Sequence, residues 1–155
     1  MTDLQNTFNK DLEFGHEGEE VVLDYIRTKY ECAVRIPKKF SDYDIWIPEI
    51  SKSVEVKYDV RSNDTGNFFI ELYMSGKPSG LLSSKADWWV FYDGHRFYWI
   101  ELDKLKQIII LSSSNWIEVQ PKGDKEPKKA FIIKKSLMSQ YSLNLNQVVL
   151  ATIDW

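Results

Sequence analysis

Cysteine and histidine are nearly absent: the chain carries Cys32 alone and two histidines, His16 and His95. A lone thiol cannot close an internal disulfide and has no partner for a thiolate metal site, so it reads as a small core residue in a reducing compartment. With so few soft ligands, a zinc centre or a thiol enzyme is also disfavoured. Long apolar runs are missing too. None approaches the roughly 20 residues that a membrane span requires, and the polar N-terminus lacks a signal-peptide pattern, so the expectation is a cytoplasmic, intracellular protein with no membrane partner. Positive charge is not in excess: 20 Lys and Arg face 23 Asp and Glu, a net charge of −3, which excludes the strongly basic body of an indiscriminate nucleic-acid binder. There is no Gly-x-Ser-x-Gly elbow, no Gly-x-x-x-x-Gly-Lys-Ser/Thr phosphate loop, no internal repeat and no linker. What remains is 155 residues with 43% hydrophobic content, which fits one domain over residues 1–155 with a real core. Aromatic content of 14%, with six tryptophans, can serve that core or base stacking.

The most informative stretch is Asp42-Tyr43-Asp44-Ile45-Trp46-Ile47, a turn over Pro48 to Ser53, and Val54-Glu55-Val56-Lys57-Tyr58-Asp59. Both flanks alternate with the two-residue period of strands, so the segment predicts a hairpin. Successive strand side chains point to opposite faces, which groups Asp42 with Asp44 and Glu55 with Lys57 and Asp59. Tyr43, Ile45, Ile47, Val54, Val56 and Tyr58 supply the face expected to be buried. Like charges gathered on one sheet face are destabilising unless neutralised, and a divalent cation would neutralise them.

Asp44 followed by Glu55-Val56-Lys57 resembles the core motif of the PD-(D/E)XK nuclease superfamily, with Tyr43 standing where the motif has proline. The resemblance covers roughly Gly15 to Ile110. It implies an α/β (α+β) protein with a restriction-endonuclease-like core, a central mixed β-sheet flanked by helices; the residues beyond it read as a C-terminal β extension. It further implies a hydrolase cutting phosphodiester bonds in DNA, duplex or branched as at a Holliday junction, in recombination, repair or phage DNA processing. Mg²⁺ would be the cofactor, with Mn²⁺ as a substitute and no small-molecule cofactor, and a homodimer is one route to cutting both strands.

Upstream, His16-Glu17-Gly18-Glu19-Glu20 places acids in a first helical turn, and Val22, Leu23, Ile26 and Tyr30 follow at three-and-four spacing. Glu19 shares the apolar side, and Gly15-x-x-Gly18-Glu19 is similar to the superfamily setting that supplies a glutamate to the metal. The alternative is a dipole-stabilising acid at a helix start. Phe68 to Met74 reads as a buried strand interrupted by Glu71. Many superfamily members carry an acid on that strand, in small phage and bacterial branches among others, so Glu71 joins the implied site; a satisfied structural acid is the alternative.

By the resemblance, Asp44 and Glu55 are direct metal ligands with the Val56 carbonyl as a third, Glu19 and Glu71 bind the metal directly or through water, and Lys57 stands beside the attacking water. Asp42 and Asp59 are supporting candidates. Lys38 and Lys39, in a basic turn beside the hairpin, and Lys77, Ser79 and Lys85, in the small-residue loop from Ser75 to Asp87, are candidate backbone contacts to nucleic acid, although solvated turns have the same composition. Strands are expected over Cys32–Ile36, Ala86–Tyr92, Arg96–Ile100, Trp116–Val119 and Ala130–Ile133. Helices are expected over Leu102–Leu111 and from Lys135, with Gln147 to Ile153 as a last strand or docked tail. Two other classes compete: an inactive nuclease-fold protein serving as a nucleic-acid-binding or structural module, and an interaction protein using Trp88, Trp89 and Trp99 as exposed anchors.

Overall fold

A computed structural model of the chain describes residues 3–37, 42–112, 116–120 and 127–152, of which 3–14 are described by their backbone only. The first element is the long helix α1 (Asp3–Arg27). No glycine or proline interrupts the chain before Gly15, so the helix expected from Gly15 extends back through the polar lead-in. The predicted hairpin follows as β2 (Ile45–Ile47) and β3 (Lys52–Tyr58), after a short β1 (Val34–Arg35). A single 3₁₀ turn at Pro48–Ile50 reverses the chain, with proline at its start and Ser51 in the left-handed region at φ 50°.

After a helical turn, α2 (Ser62–Thr65), come β4 (Asn67–Met74), β5 (Lys77–Pro78), a 3₁₀ turn at Gly80–Ser83, β6 (Trp88–Tyr92), β7 (Phe97–Glu101) and α3 (Leu102–Leu111). The chain continues through β8 (Trp116–Val119), β9 (Lys128–Lys134), α4 (Lys135–Tyr141) and α5 (Leu145–Ala151). The strands form two sheets. One is mixed, in the order β1-β2-β3-β6-β7 with β3 and β6 parallel; the other, β5-β4-β9-β8, is antiparallel.

Strand alternation sorts the core into two layers. Ile45, Ile47, Val54, Val56, Trp88, Val90 and Trp99 pack toward Val22, Leu23 and Ile26 of α1 and Leu145 and Val148 of α5. Trp89, Phe91, Tyr98 and Ile100, on the opposite face, pack against Phe68, Ile70, Leu72, Phe131 and Ile133 of the second sheet and Leu105 and Ile109 of α3. Glu55 and Lys57 alternate with Val54 and Val56, so they emerge on the face between the two sheets.

Several expectations are corrected. The predicted C-terminal β extension is half of the second sheet: β9 pairs along β4 from Asn67↔Lys134 to Met74↔Lys128. Of the two readings of the last apolar stretch, the strand gives way to a docked helical segment, because Asn144 and Gln147 form a reciprocal capping box and Leu145 and Val148 share the buried side. Cys32 is exposed, its backbone N–H held by Glu49 in the connection before β1. Trp88, Trp89 and Trp99 lie at 3%, 2% and 0% exposure, which removes them as surface anchors. Among the described residues no helix is long and apolar enough to cross a membrane.

Candidate functional site

The site begins with the backbone of Asp44. Its N–H donates to the Val54 carbonyl (3.0 Å) and its carbonyl accepts from Ile36 (2.8 Å), so it is clamped between β1 and β3 at the start of β2. The carboxylate then takes over the ladder: Oδ2 accepts from the Val56 N–H at 2.7 Å. A residue's N–H and C=O leave a strand on the same side, so the Val56 carbonyl also faces the Asp44 edge of β3. Asp44 and Glu55 are both buried, at 1% and 6% exposure. Burying two carboxylates on adjacent strands is costly without compensating charge or hydrogen bonds.

Lys57 supplies part of that compensation. Its ammonium lies 3.2 Å from Glu55 Oε1 and 4.9 Å from the ring centroid of Trp89. Trp89 is the register partner of Glu55 across the parallel β3–β6 pair, so the sheet itself sets this spacing. Glu55, Lys57 and Trp89 line an open cleft of about 300 Å³ together with Asp42, Gly80, Ser83 and Ser84. The 80–83 turn is held down by Gly80. With φ at +50°, an added Cβ there would stand 2.4 Å from the Glu71 carbonyl oxygen, so a side chain is excluded.

The structure thus brings Asp44 against the backbone of the Glu55-Val56-Lys57 segment. The other two predicted acids have different partners. Glu19 accepts from Arg35 Nε at 2.8 Å while Glu20 takes Arg35 Nη1 at 2.9 Å, tying α1 to β1. Glu71 lies on β4, in the second sheet, 3.3 Å from Lys128 Nζ. Among the described residues no three His, Cys, Asp or Glu side chains come close enough to hold a metal, so the set of four carboxylates is not assembled. What remains, Asp44, Glu55 and the Val56 carbonyl, is a hard-oxygen set that fits Mg²⁺, which keeps several waters and binds through one or two carboxylates. It does not fit a closed tetrahedral zinc site.

Of the candidate nucleic-acid contacts, Lys38 and Lys39 lie outside the described residues. Lys77 is exposed on β5. The Lys85 side chain, at 78% exposure, reaches Asp42 at 3.8 Å beside the cleft. Ser79 has a buried hydroxyl, and its N–H donates to the Leu72 carbonyl at 2.9 Å. Asp59 Oδ1 accepts the Ser62 N–H at 3.1 Å in the turn that leads into α2. Ser84 and Trp89 also line the cleft, and their signal in the sequence is a serine pair preceding an aromatic strand.

Two further groups are tuned by their surroundings. Asp93, in the β6–β7 turn, is pushed upward by burial. Hydrogen bonds from Lys135 and from the Arg96 and His95 N–H groups, with the Lys135 charge, outweigh that and hold it below its ordinary 3.8. Lys135 Nζ lies 2.6 Å from Asp93 Oδ2, joining the mixed sheet to the start of α4. The Tyr58 phenol is raised above 10.0, by burial first and then by Glu17 and Tyr92. A larger depression of about 870 Å³ opens at the N-terminal ends of β3 and β6, where Asp87 is already engaged by the Ser53 N–H (2.8 Å) and hydroxyl (3.0 Å).

Compared with known proteins, the chain matches no family model, no curated protein and no solved structure.

Proposed function

We propose that the chain is a Mg²⁺-dependent nuclease with a restriction-endonuclease-like core, hydrolysing phosphodiester bonds in DNA at the Asp44, Glu55 and Lys57 cluster. The observation that carries this reading is the 2.7 Å bond from the Val56 N–H to Asp44 Oδ2, which seats one buried carboxylate beside the strand that bears Glu55 and Lys57. A mixed sheet between helices and a second sheet gives that cluster a rigid base, as a catalytic constellation requires.

When bound, Mg²⁺ supplies a lowered water pKa and neutralises charge on the phosphate and the leaving oxygen. Asp44 and Glu55 hold it, with the Val56 carbonyl on the same edge. Lys57 orients the attacking water and offers a positive charge to the scissile phosphate from its seat over Trp89. A second reading, a nucleic-acid-binding module without turnover, is favoured by the Glu55–Lys57 pair at 3.2 Å, since Lys57 already offsets one of the two carboxylates.

Cleavage of supercoiled plasmid in Mg²⁺, Mn²⁺ or EDTA separates the two. The nuclease reading expects metal-dependent nicking that Glu55→Gln abolishes; DNA binding with no cleavage under any metal supports the module instead.

A further inference from the structure

We propose that the Ser84 hydroxyl is a hydrogen-bond donor to a phosphate oxygen in the cleft, with Trp89 holding it in place; this rests on the nuclease reading of the same cleft. A serine hydroxyl has one proton to give and two lone pairs to fill. Ser84 Oγ accepts from Trp89 Nε1 at 3.0 Å and from the Ala86 N–H at 3.3 Å. Both partners can only donate, so both lone pairs are used. The proton has no acceptor among the described residues, although Ser84 lines the cleft beside Lys57 and Glu55. What this hydroxyl can offer a ligand is therefore donation, which selects an oxyanion or a carbonyl.

Trp89 makes the assignment more specific. Its indole N–H fixes Ser84 and its ring face carries the Lys57 ammonium at 4.9 Å, so one buried side chain positions a neutral donor and a cation together. A cation paired with a neutral donor suits the non-bridging oxygens of a phosphodiester. The Gly80–Ser83 turn that leads into Ser84 packs closely on β4, because Gly80 sits against the Glu71 carbonyl where no side chain fits. The donor is thus presented on fixed backbone.

The test follows the Trp89 indole N–H resonance, assigned with Trp89→Phe, while inorganic phosphate is titrated into the full chain in Mg²⁺ buffer. Wild type, Ser84→Ala and Ser84→Thr are compared, with melting temperatures recorded for each. The expected result is a saturable shift in wild type, affinity weakened about tenfold or more in Ser84→Ala, and recovery in Ser84→Thr, as the loss of one hydrogen bond to a charged group predicts. A serine that serves only to hold Trp89 would lower the melting temperature without changing phosphate affinity. Equal affinity in wild type and Ser84→Ala overturns the proposal, as does a wild-type indole resonance that phosphate leaves unmoved. Plasmid cleavage measured alongside keeps the two readings apart. Phosphate binding through Ser84 with no cleavage overturns the nuclease and keeps the donor; cleavage with the same kcat and KM in Ser84→Ala does the reverse.

Discussion

Gly18 and Gly15 stand three residues apart on α1, and alanine at each should move stability in opposite directions. In a helix interior, alanine is favoured over glycine by about 0.5–1 kcal/mol, because glycine loses more backbone entropy on folding. At Gly15 nothing lies within 4 Å of an added Cβ, so Gly15→Ala should keep that gain. At Gly18 the same atom would stand 2.6 Å from Tyr58 Cβ, 2.6 Å from Cγ and 2.7 Å from Cδ1. Tyr58 cannot swing aside, since Cβ is tied to β3 and its ring stacks on Tyr92 at 5.1 Å, which stacks on Phe97 at 4.8 Å. Overpacking of this kind costs about 1–3 kcal/mol, more than the helical gain, leaving a net loss of about 0.5–2 kcal/mol. For a chain of this length, that is a fall in melting temperature of about 1–8 °C, against a rise of about 1–4 °C for Gly15→Ala. Urea titration with an unchanged m-value would assign both effects to the native state. A Gly18→Ala protein as stable as wild type would mean that Tyr58 yields freely, and that α1 is not seated on β3 as described.

Other expected outcomes concern the site and its supports. Lys57→Ala should retain Mg²⁺ binding and slow cleavage about 100-fold or more in single-turnover assays; unchanged turnover would make Lys57 structural. Glu19→Gln and Glu71→Gln should leave Mg²⁺ affinity by calorimetry within about twofold, because Arg35 and Lys128 hold those carboxylates; a large loss in either would restore that acid to the metal shell. Lys135→Met leaves Asp93 buried and should destabilise by about 3–5 kcal/mol in chemical denaturation. Because the Asp93 pKa is depressed in the fold, its stabilisation is present above the ordinary value of 3.8 and is lost as pH falls below it. Wild type should therefore lose more stability than Asp93→Asn between about pH 4 and pH 2, and parallel curves would remove the ion pair from the account.

The two-residue period made the hairpin legible, since Ile45, Ile47, Val54 and Val56 are buried together on the α1 side as their alternation requires; Tyr43, expected on that face, packs in the other core layer, because it lies in the bend before β2 where the alternation does not hold. Local spacing likewise placed Asp44 and Glu55-Val56-Lys57 within one strand of each other. Partnership at a distance was not legible. Nothing in the neighbourhood of Glu71 announces that β4 leaves the mixed sheet to pair with β9, whose lysine Lys128 then claims the carboxylate. Arg35 is an unremarkable residue on a two-residue strand until α1 packs across it and presents Glu19. Ser84 gains its meaning only when the indole of Trp89, five residues on, folds back to donate to it. The C-terminal segment misled for a local reason: its apolar run suits strand or helix, and the Asn144–Gln147 capping box decides for helix.

The most direct test of the site is Asp44→Asn. The amide oxygen can still accept the Val56 N–H, so the strand contact survives while the negative charge is removed. A panel of labelled supercoiled, linear, single-stranded, flapped and four-way DNAs would be incubated with wild type and Asp44→Asn in Mg²⁺, Mn²⁺ and EDTA, with melting temperatures measured in parallel. The account predicts cleavage of at least one substrate that requires metal and disappears in Asp44→Asn while the fold persists. An Asp44→Asn protein that still cuts would contradict the site assignment, and a wild type that neither binds metal nor cuts any substrate would contradict the nuclease itself.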